Sequence, residues 1–229
     1  MTLGVIAAMK IEAENIIAAM KDPVQEVCGS IEFTTGSIGN TKIVCAVCGI
    51  GKVFAAMCAQ TMIIKYAPDA VINTGVGGTL TSALTIGDAA ISADVVQHDM
   101  DTSALGDPVG LISGINIIKI PADAALCGKI AEVAKKIGVR THIGTIASGD
   151  RFIADADVKN RIVANFGAVA CEMEGAAVGQ VCYVNKTPFA VIRAISDDAD
   201  GGACEDYPAF AKKSAENSAK IVISLAQIL

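Results

Sequence analysis

The chain has 229 residues, about half of them apolar (52%), which is enough to bury the core of one α/β domain. A net charge of −6 with scattered basic residues argues against nucleic acid or an anionic membrane surface as partner and leaves small-molecule chemistry. The eight cysteines sit mostly inside apolar runs such as "KIVCAVCGIG", which suits buried thiols in a reducing compartment, and the length excludes a secreted mini-protein.

The start "MTLGVIAAMKIEAENI" lacks a basic n-region and meets Glu12 and Glu14 early, and no apolar run reaches bilayer length, so a soluble cytoplasmic protein is expected. "TLGVIAAM" reads as a strand and "IEAENIIAAMK" as a helix, with Glu12 at their junction. "SIEFTTGSIGNTKIVCAVCG" predicts two strands turning at Gly39-Asn40, then a helix up to Pro68. "DAVINTG" is a buried strand ending in glycines, "GDAAISADVVQHD" begins another, and residues 99–116 are loop-like. "PADAALCGKIAEVAKKIG" follows as an amphipathic helix with Pro121 near its start. "RTHIGTIASG", "AVACE" and "PFAVIRAIS" are strands; "ADVKNRIVANFG", "MEGAAVGQVCYVN" and the stretch from Tyr207 onward are helices. No repeat or linker interrupts them, so residues 1–229 are expected to form one α/β domain, a central twisted mixed β-sheet flanked by helices on both faces.

In such folds ligands gather beyond the carboxyl ends of strands. Several nucleotide-loop readings fail there. "GIGKV" has Ala46 where a phosphate loop needs its first glycine and Val53 after the lysine, and "GVGGTL" places Leu80 where a dinucleotide loop needs its last glycine. Cys45 and Cys48 would face opposite sides of a sheet, and His98 and His142 are too few to complete a zinc site. Acid–base chemistry therefore rests on carboxylates: Glu12, Glu172, Glu174, Asp197, Asp198 and Asp200, each following an apolar strand. For any one of them alone a helix cap or a surface charge is the plainer reading. Together they suit cleavage of a glycosidic C–N bond, where an acid protonates the departing base and a carboxylate activates water.

"GVIAAMKIEAENI", "GIGKVFAA", "INTGVGG", "SGDRFI", "CEMEGAA" and "VIRAISDDAD" occur in the order and spacing of the 5′-methylthioadenosine/S-adenosylhomocysteine nucleosidases, which the chain resembles from residue 3 to its last helix. The resemblance implies a nucleoside phosphorylase-like fold and roles for single residues. Glu12 would activate the attacking water and Arg193 help hold it. Asp197, oriented by Ser196, would protonate adenine N7. Glu174 would accept hydrogen bonds from the ribose hydroxyls under Met173. Phe152 would stack on the purine and the backbone of Ile153 read its edge. Met9, Ile50, Thr102, Leu105 and Tyr207 fall where the family builds its 5′-alkylthio pocket, residues 102–105 coming from the partner of a homodimer. No metal or redox cofactor is required. Val76 stands where relatives often carry serine, and Leu105 replaces an aromatic residue. Glu172 is read as a cap or brace rather than a second catalytic carboxylate. Hydrolysis is favoured over phosphorolysis because Glu12 would repel phosphate. Hydrolysis of 6-amino-6-deoxyfutalosine and non-catalytic nucleoside binding are the alternatives, the second disfavoured by the presence of Glu12 and Asp197.

Overall fold

The computed structural model describes residues 1–199 and 207–229; of residues 207–209 only the helical backbone is described. Its elements are β1 (Thr2–Ala7), α1 (Lys10–Ala18), β2 (Lys21–Cys28), β3 (Ile31–Ile38), β4 (Thr41–Val47), α2 (Lys52–Tyr66), β5 (Ala70–Thr79) and β6 (Ala89–Gln97). A 3₁₀ turn at Ser103–Leu105 precedes β7 (Ile120–Pro121), α3 (Ala124–Lys136), β8 (Thr141–Ser148), α4 (Ala156–Phe166), β9 (Ala168–Glu172), α5 (Gly175–Val184), β10 (Phe189–Asp197) and α6 (Tyr207–Ala226).

Strand order is β10-β6-β8-β9-β5-β1-β4-β3-β2, with β10 also paired to β5. The sheet is mixed, as expected, but its β5-β10-β6-β8-β9 part closes on itself into a barrel, and β1-β4-β3-β2 extends from β5 as an open arm. Alternation along the strands sorts side chains to two faces. Ile6, Val71 and Val191 pack with α2 and α5, whereas Val5, Ile72 and Ile192 pack with α1, α3 and α6. Each fully buried aliphatic side chain of this kind contributes about 1.5–3 kcal/mol. Cys45 and Cys48 fall in these two opposite clusters, in keeping with a packing role.

Three readings of the sequence change. β5 does not end at its glycines but runs through Gly75, Gly77 and Gly78 to Thr79. Pro121 belongs to β7, and α3 begins at Ala124, where the Asp123 carboxylate accepts from the Leu126 amide at 2.7 Å. β2, unanticipated, is an exposed strand containing Pro23 and broken in register between Lys21 and Val24.

Candidate active site

The site forms where β5 changes partners. β1 leaves it at Asn73, β9 joins it at Gly78, and between them β5 is paired by β10 alone. Side chains from four segments fill that opening, and β5 leaves them room by having glycine there. A Cβ at Gly75 would stand 2.6 Å from Glu12 Oε1, and one at Gly78 would stand 2.6 Å from Asp197 Oδ1.

Glu12 lies in the first turn of α1 and is 3% exposed. Oε2 accepts from the amides of Ala8 and Met9, both at 2.9 Å, and Oε1 from the Val76 amide at 3.0 Å. It thus caps its own helix while facing the cavity. Burial pushes its pKa up, and this outweighs the opposing pull of Arg193 and the three amides. At Val76 the backbone engages Glu12, and the side chain only lines the cavity.

Glu172 and Glu174 face one another across the start of α5. Glu172 accepts from the Glu174 amide at 3.0 Å, the Gly175 amide at 2.7 Å, the Ser148 hydroxyl and the Arg193 guanidinium. Glu172 thus caps the amides at the start of α5 and ties them to Ser148 and Arg193. Glu174 is less saturated: Oε1 accepts from the Gly51 amide at 2.8 Å, and Oε2 stands 3.6 Å from Arg193. Burial, then the neighbouring Glu172, pushes the Glu174 pKa up.

Asp197 ends β10 and is also buried. Oδ2 accepts from the Ser196 hydroxyl at 2.9 Å and Oδ1 from the Ala199 amide at 3.0 Å. Burial raises its pKa despite these bonds, and Asp198 adds to the rise.

Glu12, Val76, Glu172, Met173, Glu174, Ser196 and Asp197 line one cavity of about 120 Å³, together with Met9, Ile50, Phe152 and Ile153. That volume exceeds several times what one water needs. Ile50 and Phe152 are half exposed at its mouth, and Ile153 is buried. Other calls fall elsewhere. Arg193 is not among the residues that line the cavity: its guanidinium donates to Glu172, the Asn73 side chain and the carbonyls of Asn73 and Ile192, and stands 3.6 Å from Glu174 Oε2. Thr102 bonds Asp107 at 2.8 Å and Leu105 is 85% exposed; neither lines this chain's cavity. The Tyr207 side chain and Asp200 lie outside the described residues. Asn73 was missed, although a lone amide inside the apolar run "AVIN" was the available signal: it donates to the Ile6 carbonyl at 3.0 Å and receives Arg193. Among the described residues no group of three or more His, Cys, Asp or Glu is placed to hold a metal ion.

Along its whole length the chain is similar to known proteins. A sequence model of the phosphorylase superfamily matches residues 2–227. The 5′-methylthioadenosine/S-adenosylhomocysteine nucleosidase of Shewanella loihica is 38% identical over 227 residues, 98% of either chain. The nucleosidase of the same name from Neisseria meningitidis, solved in complex with methylthio-immucillin-A, is 35% identical with a TM-score of 0.96 and covers 100% of this chain and 99% of its own. Futalosine hydrolase of Helicobacter pylori strain 26695 is also 35% identical, with a TM-score of 0.95, over 100% and 98% of the two chains.

Proposed function

The chain belongs to the 5′-methylthioadenosine/S-adenosylhomocysteine nucleosidase family of the phosphorylase superfamily, and on that premise we propose that it hydrolyses the N-glycosidic bond of both nucleosides, releasing adenine and the 5-thioribose product. The observation that carries the proposal is that two buried carboxyl groups with raised proton affinity, Glu12 and Asp197, line one cavity beside Met173 and Glu174. Asp197, protonated, gives its proton to adenine N7 as the bond from C1′ to N9 breaks, and the base leaves neutral. Water attacks C1′ and its proton passes to Glu12. Glu174 holds the ribose hydroxyls and, with the other carboxylates, stabilises positive charge developing on the sugar.

Four carboxylates around the cavity, with Arg193 tied behind them, support water over phosphate as the nucleophile. Ile50 and Met9 would hold the 5′ substituent, Phe152 the purine face and the Ile153 backbone its edge. Residues 102–105 would complete the partner's site in a homodimer, a reading supported by the exposure of Leu105 away from its own cavity. Among the described residues no helix is long and apolar enough to cross a membrane, which accords with a cytoplasmic enzyme. The futalosine hydrolase likeness favours 6-amino-6-deoxyfutalosine as a second substrate, since it offers the same base and ribose.

The test is product identification after incubation with each nucleoside, with and without phosphate. Adenine and free 5-methylthioribose in phosphate-free buffer are expected. A sugar 1-phosphate formed only when phosphate is present would overturn hydrolysis.

A further inference from the structure

"GIGKV" fails as a phosphate loop, yet Lys52 is one of the most engaged side chains around the cavity. Its ammonium donates to Asp99 Oδ1 at 2.6 Å and to Gln97 Oε1 at 3.1 Å, and Gln97 in turn donates to Gln180 on α5. The backbone amide of Lys52 donates to Asp150 Oδ1 at 2.8 Å, and the Asp150 amide donates to Asp99 Oδ2 at 2.9 Å. The three residues therefore close a ring of hydrogen bonds. The Lys52 and Asp99 side chains are 19% and 31% exposed, so the ion pair is only partly screened by water.

Each member belongs to a different segment. Lys52 opens α2 directly after Ile50 and after Gly51, whose amide holds Glu174. Asp150 belongs to the loop that carries Phe152 and Ile153 into the cavity. Asp99 follows the end of β6, shortly before residues 102–105. The packing admits no slack: a Cβ on Gly51 would meet Asp150 Oδ1 at 3.0 Å, and one on Gly149 would meet His98 Nε2 at 2.4 Å and Asp99 at 3.1 Å. Burial raises the Asp99 pKa, but Lys52 and the Asp150 amide outweigh it and leave the carboxylate ionised more readily than usual.

We propose that Lys52, Asp99 and Asp150 form a clamp that positions the base-carrying loop 149–153 against the Glu174 side of the cavity. The start of α2 then serves both halves of a nucleoside: Gly51 fixes the carboxylate that meets the sugar, and Lys52 fixes the loop that meets the base. Lys52 touches no reacting atom in this arrangement and is a positioning residue. Its ammonium, held by Asp99 and Gln97, is not free to ligate an anion. The assignment of base and sugar sides rests on the nucleosidase reading above.

The test compares Lys52→Met, Asp99→Asn, the double variant and Lys52→Arg with the unaltered chain. Hydrogen–deuterium exchange without ligand should speed up at the amides of residues 149–153 in Lys52→Met and Asp99→Asn. KM for 5′-methylthioadenosine should rise about tenfold, as expected for loss of a charge-assisted bond, with kcat changed less than about twofold. The double variant should be no worse than the poorer single one, because both break the same ring. Lys52→Arg should recover most of the loss. Unchanged exchange at 149–153, or a lower unfolding midpoint with unchanged KM, would overturn the clamp. An unaltered chain that releases no adenine would instead sink the nucleosidase reading, while the exchange data would still decide the clamp.

Discussion

Glu12 and Asp197 face the same cavity but are held in different ways. Among the described residues Glu12 has three backbone amides around its two oxygens, whereas Asp197 has one amide and one hydroxyl, and a hydroxyl can turn to donate or accept. Amides accept no proton in return, so Glu12 sits in a cage built for a carboxylate. Asp197 sits where either protonation state can be satisfied. In the proposed reaction the pair thus divides into a base held by fixed donors and an acid beside an adaptable partner, although burial raises the proton affinity of both.

Replacing Asp197 by Asn attacks the adaptable side and should have the largest effect on turnover. We expect kcat to fall by about 10²–10⁴-fold, the usual contribution of a general acid, with nucleoside binding retained in calorimetry. Because Ser196 can reorient, the unfolding free energy should change little. Glu12→Gln attacks the fixed side. Its amide must turn an NH₂ group toward at least one backbone N–H, which should cost about 1–3 kcal/mol in denaturant unfolding as well as lower kcat. Equal stability losses in the two variants would erase the contrast.

The pH profile of kcat/KM sharpens it further. In the proposed reaction Glu12 acts ionised, so the acid limb should fall above the ordinary glutamate value of 4.5; Asp197 acts protonated there, so the basic limb should fall above the ordinary aspartate value of 3.8. An acid limb that Glu12→Gln leaves in place would remove Glu12 from its role. The smallest effect belongs to Ser196→Ala. The hydroxyl lowers the Asp197 pKa, so its removal should move the basic limb to higher pH. A shift to lower pH would contradict the bonding described.

The sequence made β9 legible almost to the residue, because "AVACE" is a buried apolar run closed by a charge and followed by a helix. The carboxylates stood at strand ends and could be found there. β5 was read short because glycine disfavours strands, whereas here it persists in the strand to clear space for Glu12 and Asp197. That requirement is three-dimensional and leaves no local pattern. Barrel closure was equally hidden, since β9 meets β5 in a short ladder, Gly78↔Cys171 and Thr79↔Ala170, with the Leu80 amide bonding Val169 just beyond. Arg193 was identified as part of the site, but the sequence could not show that Asn73 and Glu172 would hold it.

β2 is the strand that closure leaves at the end of the open arm. Pro23 offers no amide for a further strand to bond, Asp22 adopts a left-handed φ of 50°, and the register slips beside them. Lys21, Asp22 and Glu26 add charge along a strand that is exposed almost throughout. The features that disguised β2 as a non-strand also make it a poor template for another chain's backbone, so the arm can end in water without inviting edge-to-edge aggregation.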